Sequence, residues 1–179
     1  MSKQSSKLLH IATIGKSVGL KGDMKFHIKS DFPEQFVKGV SFLINENESI
    51  TLSEVNHERE LIKVVGYNSP EEAKKLTNKK LYTTIERTRK ECHLEDGEYF
   101  WFDIEDCSVV ENGEVLGVVE EVERIGITNY LNIKTDEALI KKGFAKSFLI
   151  PFIKPFTLNT DIERKVIIVS GAMDILEAS

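Results

Sequence analysis

Apolar and polar positions alternate with a period of two along much of the chain. Met24, Phe26 and Ile28 interleave with Asp23, Lys25, His27 and Lys29, which predicts a half-buried strand. Residues 42–44, 50–55 and 61–65 predict further strands, separated by turns rich in Asn and Glu. One helix start is clearly marked: Ser69 as N-cap, Pro70 at the first helical position and Glu72 at the third form a capping box. Asn78 is a suitable stop for that helix, Pro33 opens a helical turn over 33–36, and residues 81–85 return to strand. Residues 86–98 carry no periodic apolar positions. Beyond them, segments 107–110 and 114–122 flank Asn112-Gly113, the strongest local hairpin signal, because a type I′ turn needs two residues at positive φ. Strand patterns continue at 130–134, 148–153 and 166–169. Many short strands with turns every 8–12 residues predict a mainly β protein of two small β-barrels with few short helices. The expected division is 1–90 for the first barrel, 91–98 for a linker and 99–179 for the second barrel.

Composition adds a division of charge. The 179 residues are 41% hydrophobic, enough for a core without disulfide or metal staples, which excludes collagen-like, coiled-coil and disordered classes. The net charge of -5 is that of an ordinary acidic protein. Residues 1–90, however, hold 16 Lys and Arg against 11 Asp and Glu, a net of +5, while residues 91–179 hold 8 against 18, a net of -10. Two modules with different partners would produce this swing, as would neighbouring domains that attract one another. The apolar stretch 8–14 contains His10 and falls well short of the ~20 residues of a membrane span, so no membrane association is expected. With Cys92 and Cys107 set 15 apart and no CxxC, the chain reads as cytoplasmic with reduced thiols.

Candidate chemistry is sparse. His10, His27, His57 and His93 share no metal-ligand spacing, so no metal site is expected. Cys92-His93 are sequence neighbours, whereas nucleophile and base normally come from distant segments. Gly15, Gly19 and Gly22 are spaced GxxxGxxG without the Gly-Lys-Ser/Thr of a phosphate loop. No catalytic residue and no cofactor are assigned.

Binding features are richer. Lys21, Lys25, His27 and Lys29 fall opposite Met24, Phe26 and Ile28, with Lys16 in the preceding glycine turn. Such a cationic face suits a phosphate backbone, since each lysine displaces counterions; it is also what a solvated strand broken by Asp23 would look like. A second basic run, Lys74, Lys75, Lys79, Lys80, Arg87, Arg89 and Lys90, spreads over helix, turn and strand and need not converge. Tyr99-Phe100-Trp101-Phe102 places four aromatics in succession. If extended, they alternate between two faces, one pair entering a core and the other covering a junction, binding protein or stacking RNA bases.

Several motifs, in order, resemble one family. Residues 14–25 (Ile-Gly-Lys-Ser-Val-Gly-Leu-Lys-Gly-Asp-Met-Lys) and 30–36 (Ser-Asp-Phe-Pro-Glu-Gln-Phe) resemble the N-terminal signature of the bacterial ribosome maturation factor RimM family. Tyr99-Phe100-Trp101-Phe102-Asp103-Ile104 is similar to its Tyr-Tyr segment. Gly113 to Val119 resembles its hairpin, and Leu149-Ile150-Pro151-Phe152-Ile153 with Asp161-Ile162-Glu163 and Lys165-Val166-Ile167 resembles its C-terminal close. Val18 stands where the family usually has His, Phe100 where it has a second Tyr, and Glu105-Asp106 where it has Ile-Gly.

The resemblance implies a translation-factor-like barrel followed by a PRC-type barrel. It implies a non-catalytic role in late small-subunit assembly, through the 3′ domain of 16S rRNA and ribosomal protein nineteen, by a protein taken as a monomer. Lys16, Lys21, Lys25 and Lys29 are then the expected RNA contacts, and Tyr99, Phe100 and Trp101 the expected protein contacts. An RNA-modifying or processing enzyme with an unseen active site, or a PRC-barrel adaptor binding only protein, are the alternatives.

Overall fold

The computed structural model describes residues 7–179, which fall into two compact units, 7–93 and 94–179. The first contains β1 (Leu8–Val18), β2 (Asp23–Ile28), β3 (Ser41–Leu43), β4 (Ser49–Asn56), β5 (Leu61–Val64) and β6 (Lys80–Thr84). These close into a barrel in the order β1-β2-β5-β4-β3-β6. Alternation explains its filling: Met24 and Phe26 point inward from β2 and are fully buried with Ile14, Phe42, Leu52, Ile62 and Leu81. Phe36 joins this core from outside the strands. A 3-10 turn, Pro33–Gln35, delivers it edge-on to Phe26 (centroids 5.6 Å apart, planes at 66°) and beside Phe42 at 5.1 Å.

The marked helix is α1 (Pro70–Lys74). Its Ser69 hydroxyl accepts the Glu72 N–H at 3.3 Å, while the Glu72 carboxylate reaches back to the Asn68 N–H at 2.9 Å. It ends four residues before Asn78, which takes φ +66° after a further turn. A second helix, α2 (Ile85–Glu91), runs through sequence that shows no apolar period. Thr84 caps it by accepting the Arg87 N–H at 3.1 Å, and the side it buries is the Thr88 hydroxyl rather than an apolar stripe.

The second unit contains α3 (Trp101–Ile104), β7 (Ser108–Glu111), β8 (Glu114–Ile125), β9 (Thr128–Thr135), α4 (Glu137–Lys141), β10 (Ser147–Pro151), β11 (Thr157–Asp161), β12 (Val166–Val169) and α5 (Ala172–Glu177). Its sheet runs β10-β9-β8-β7-β12-β11, with β12 and β7 parallel and the other pairs antiparallel. Asn112 and Gly113 join β7 to β8 with φ of 49° and 81°, as a type I′ turn requires. The ladder itself stays open. Helix α5, which follows β12, packs against β10, and the sheet and helices share one core that includes Ile104, Leu116, Leu131, Ile133, Ile150 and Ile167.

The aromatic run departs from its expected extended form. Phe100 is the residue before α3 and Trp101 its first, so the four rings do not alternate between two faces.

Candidate nucleic-acid interface and aromatic segment

The basic face is built on β1, β2 and β6. Strand β1 is bulged twice, between His10 and Ala12 against β6 and between Ile14 and Ser17 against β2. Lys16 therefore sits exposed within β1, at the second bulge, and not in the glycine turn as its spacing suggested. Lys21 lies exposed in the turn of residues 19–22, whose tip is Leu20, 85% exposed. Lys25 and His27 project outward from β2, and exposed Lys29 follows it. Gly15 makes room for them: a Cβ there would stand 3.0 Å from that of Lys25 and 3.2 Å from the His27 ring. The Lys25 ammonium donates to the Arg59 carbonyl at 2.7 Å. Asp23, which interrupts the lysines in sequence, faces the Lys63 ammonium at 3.9 Å, and Lys63 also meets Glu54 at 3.4 Å.

Part of the second basic run joins this face. Thr13 of β1 is opposite both His27 of β2 and Lys80 of β6, so the cationic surface spans three strands. Arg87 does not join it. Its guanidinium donates to the Ser41 carbonyl at 2.6 Å, pairs with Glu91 at 2.8 Å and lies 5.1 Å over the Phe42 ring.

His10, unassigned by its spacing, is half-buried at the same face. Burial lowers its pKa below the ordinary value; Lys29 and then Lys80 lower it further, against the raising effect of the Ala12 carbonyl. Neither His10 nor Lys80 could be placed here from sequence, because the first β1 bulge decides where both project.

The aromatic segment is largely packed. Phe100 is 6% exposed and stacks on Phe102, with centroids 5.1 Å apart and planes within 9° of parallel. Tyr99 is partly buried against Phe152 at 6.1 Å, and Trp101 packs on the second core. The buried Trp101 Nε1 has no hydrogen-bond acceptor among the described residues. The most exposed large apolar side chain of this unit lies elsewhere, at Ile127 in the β8–β9 turn (94%), and β8, which leads into that turn, carries Glu120, Glu121 and Glu123.

Burial, with Glu34 and Glu91 adding to it, raises the Cys92 thiol against Arg87; burial likewise raises that of Cys107 against the nearby Lys165. Among the described residues no group of three or more His, Cys, Asp or Glu is placed to hold a metal, and no helix is long and apolar enough to cross a membrane.

Sequence comparison decides the family. A RimM N-terminal domain model matches residues 9–88, and a RimM PRC barrel domain model matches residues 101–175. The chain belongs to the ribosome maturation factor RimM family. It is 79% identical over 179 residues to the ribosome maturation factor RimM of Sulfurimonas denitrificans, covering 100% of both chains. It is also similar to the proteins of that name from Aliarcobacter butzleri (49% identity, covering 96% of this chain and 97% of the relative) and Sulfurovum (46%, covering 100% of both). The RimM N-terminal match contains every strand of the closed barrel except the first residue of β1, and the PRC match spans α3 to β12.

Proposed function

We propose that this RimM-family chain is a non-catalytic assembly factor of the small ribosomal subunit. In this reading it works in the cytoplasm as a monomer and holds the immature head through the 16S rRNA 3′ domain and ribosomal protein nineteen. The observation that carries it is the three-strand cationic face, in which Lys16, Lys21, Lys25 and Lys29 are joined by Lys80. Phosphates bind such a surface by displacing counterions, without any bond being made or broken. The second unit, net -10 over residues 91–179, suits a basic protein, with charge steering its encounter more than adding affinity. Joining two modest contacts in one chain raises the effective concentration of the second. The factor thereby favours one arrangement of the head and leaves once mature contacts replace its own.

The test is binding of a 16S rRNA 3′-domain transcript across a salt series, with co-sedimentation on immature and mature subunits. Expected are affinity falling log-linearly with salt, loss of affinity in a Lys21→Glu, Lys25→Glu double variant, and selective co-sedimentation with immature subunits. Salt-indifferent binding would overturn the RNA contact. Multiple turnover of the transcript by purified protein would overturn the non-catalytic reading.

A further inference from the structure

The cationic face holds two imidazoles, the exposed His27 of β2 and the half-buried His10, and His10 sits at a bulge of β1. The bulge between His10 and Ala12 breaks the alternation of β1, so Ile11 and Ala12 are both buried while His10 and Thr13 both lie nearer the surface. His10 Nε2 is 3.0 Å from the Ala12 carbonyl oxygen and 2.9 Å from the Thr13 hydroxyl. The carbonyl can only accept, so the ring is assigned its proton on Nε2, and Nδ1 of the neutral imidazole keeps its lone pair. Tyr82 of β6 sits against the ring, with centroids 5.7 Å apart. Lys29, just after β2, and Lys80 of β6 are the charges acting on it, both positive, and His27 of β2 lies opposite Thr13.

Partial burial, and after it the ammonium groups of Lys29 and Lys80, disfavour the charged form of this imidazole in the unbound protein. A phosphate beside Lys29 and Lys80 reverses the local sign. We propose that His10 is a phosphate-contact residue of the RNA face, taking up one solvent proton at Nδ1 as the RNA backbone binds. The new N–H becomes a charge-assisted donor, and no other bond changes. This rests on the RNA-binding reading of the same face.

Linkage fixes the sign. Because the bound pKa lies above the free one, affinity is full below the free pKa and falls as pH rises through the bound value. The total loss is about tenfold for each unit separating the two. Affinity for the 16S rRNA 3′-domain transcript is measured at constant ionic strength from about pH 5.5 to about pH 8.5, the range in which imidazole titrates. The expected result is a fall with pH that His10→Gln removes and His93→Gln, at an exposed position after α2, retains, with binding still salt-dependent in both. In wild type, the His10 ring resonance, assigned by its absence in His10→Gln, should titrate at higher pH with RNA than without it. A pH-independent affinity, a slope surviving in His10→Gln, or an unmoved His10 titration would each overturn the proposal while leaving salt-dependent RNA binding in place. Salt-indifferent binding at every pH would instead overturn the RNA reading, and this inference with it.

Discussion

Glu111 and Gly171 are joined across 60 residues: one carboxylate oxygen of Glu111, at the end of β7, accepts the Gly171 N–H at the start of α5. Its other oxygen accepts the Met173 N–H at 2.7 Å. Gly171, at φ +76°, has no side chain with which to cap the helix, so a buried carboxylate from the sheet does so. Because α5 packs Ala172 and Leu176 into the core, Glu111 also helps to hold the open sheet around that core. Glu111→Ala leaves two N–H groups without their acceptors and should cost about 1–3 kcal/mol, Glu111→Gln less, because it keeps one acceptor. Urea unfolding followed by Trp101, the only tryptophan, reports on this unit. An alanine variant within about 0.5 kcal/mol of wild type would show that the cap contributes little.

Gly22 and Gly19 bound the turn that carries Leu20 and Lys21, yet they should respond differently to substitution. A Cβ at Gly22 (φ +85°) would lie 2.2 Å from the Tyr67 carbonyl oxygen, whereas one at Gly19 (φ +68°) meets nothing within 4 Å. Gly19→Ala should cost about 1 kcal/mol for the left-handed backbone alone. Gly22→Ala adds a backbone clash; it should cost well over about 2 kcal/mol and shift Lys21. Urea unfolding by circular dichroism compares them, and equal costs would mean that the Tyr67 contact relaxes freely.

What the sequence reveals here is whatever local periodicity encodes. Met24 and Phe26 announce β2, Asn112-Gly113 announces its hairpin, and Ser69 with Glu72 announces α1, because each signal acts over a few residues. Helix α2 is hidden because the residue it buries is Thr88, so it lacks an apolar period. Strand β11 is hidden because Thr157–Asp161 is a polar edge strand. The lysines of β2 are legible as a face. Its extension to Lys80 and His10 is not, since that depends on a bulge in β1 and on pairing with a strand about 70 residues away. The aromatic run misleads for a related reason: four rings in succession suit a strand, but the backbone turns helical at Trp101.

Arg87 and Lys80 belong to one basic run and should separate cleanly by experiment. Arg87→Gln removes the Ser41 and Glu91 contacts and the cation over Phe42, and should cost about 1–2 kcal/mol of stability in the first unit. RNA affinity should change little. Lys80→Gln should leave stability within about 0.5 kcal/mol of wild type and reduce the salt-dependence slope by roughly 0.7–0.9. Thermal unfolding and a salt titration on both variants decide it, and the reverse pattern would remove Lys80 from the interface.

Both cysteines should be slow thiols. Burial raises the pKa of each, so at about pH 8 their thiolate fraction lies below that of an exposed cysteine and grows only as pH rises further. Reaction with Ellman's reagent should be slow for two thiols in the folded chain and fast in denaturant. Rapid reaction of either in the folded chain would show that its cover opens readily.

Phe100 and Tyr99 are adjacent, but only one can be read as a surface contact. Phe100 is 6% exposed and stacked on Phe102, so Phe100→Ala should cost about 3–5 kcal/mol and lower the unfolding midpoint seen by Trp101. Loss of subunit binding in that variant would therefore report a damaged second unit. Tyr99 is only partly buried against Phe152, so Tyr99→Ala is the cleaner probe of a direct partner contact. Weakened co-sedimentation with immature subunits, with native Trp101 emission retained, would assign Tyr99 to the protein-binding surface. Unchanged co-sedimentation would confine the aromatic run to packing and point instead to the exposed Ile127 turn.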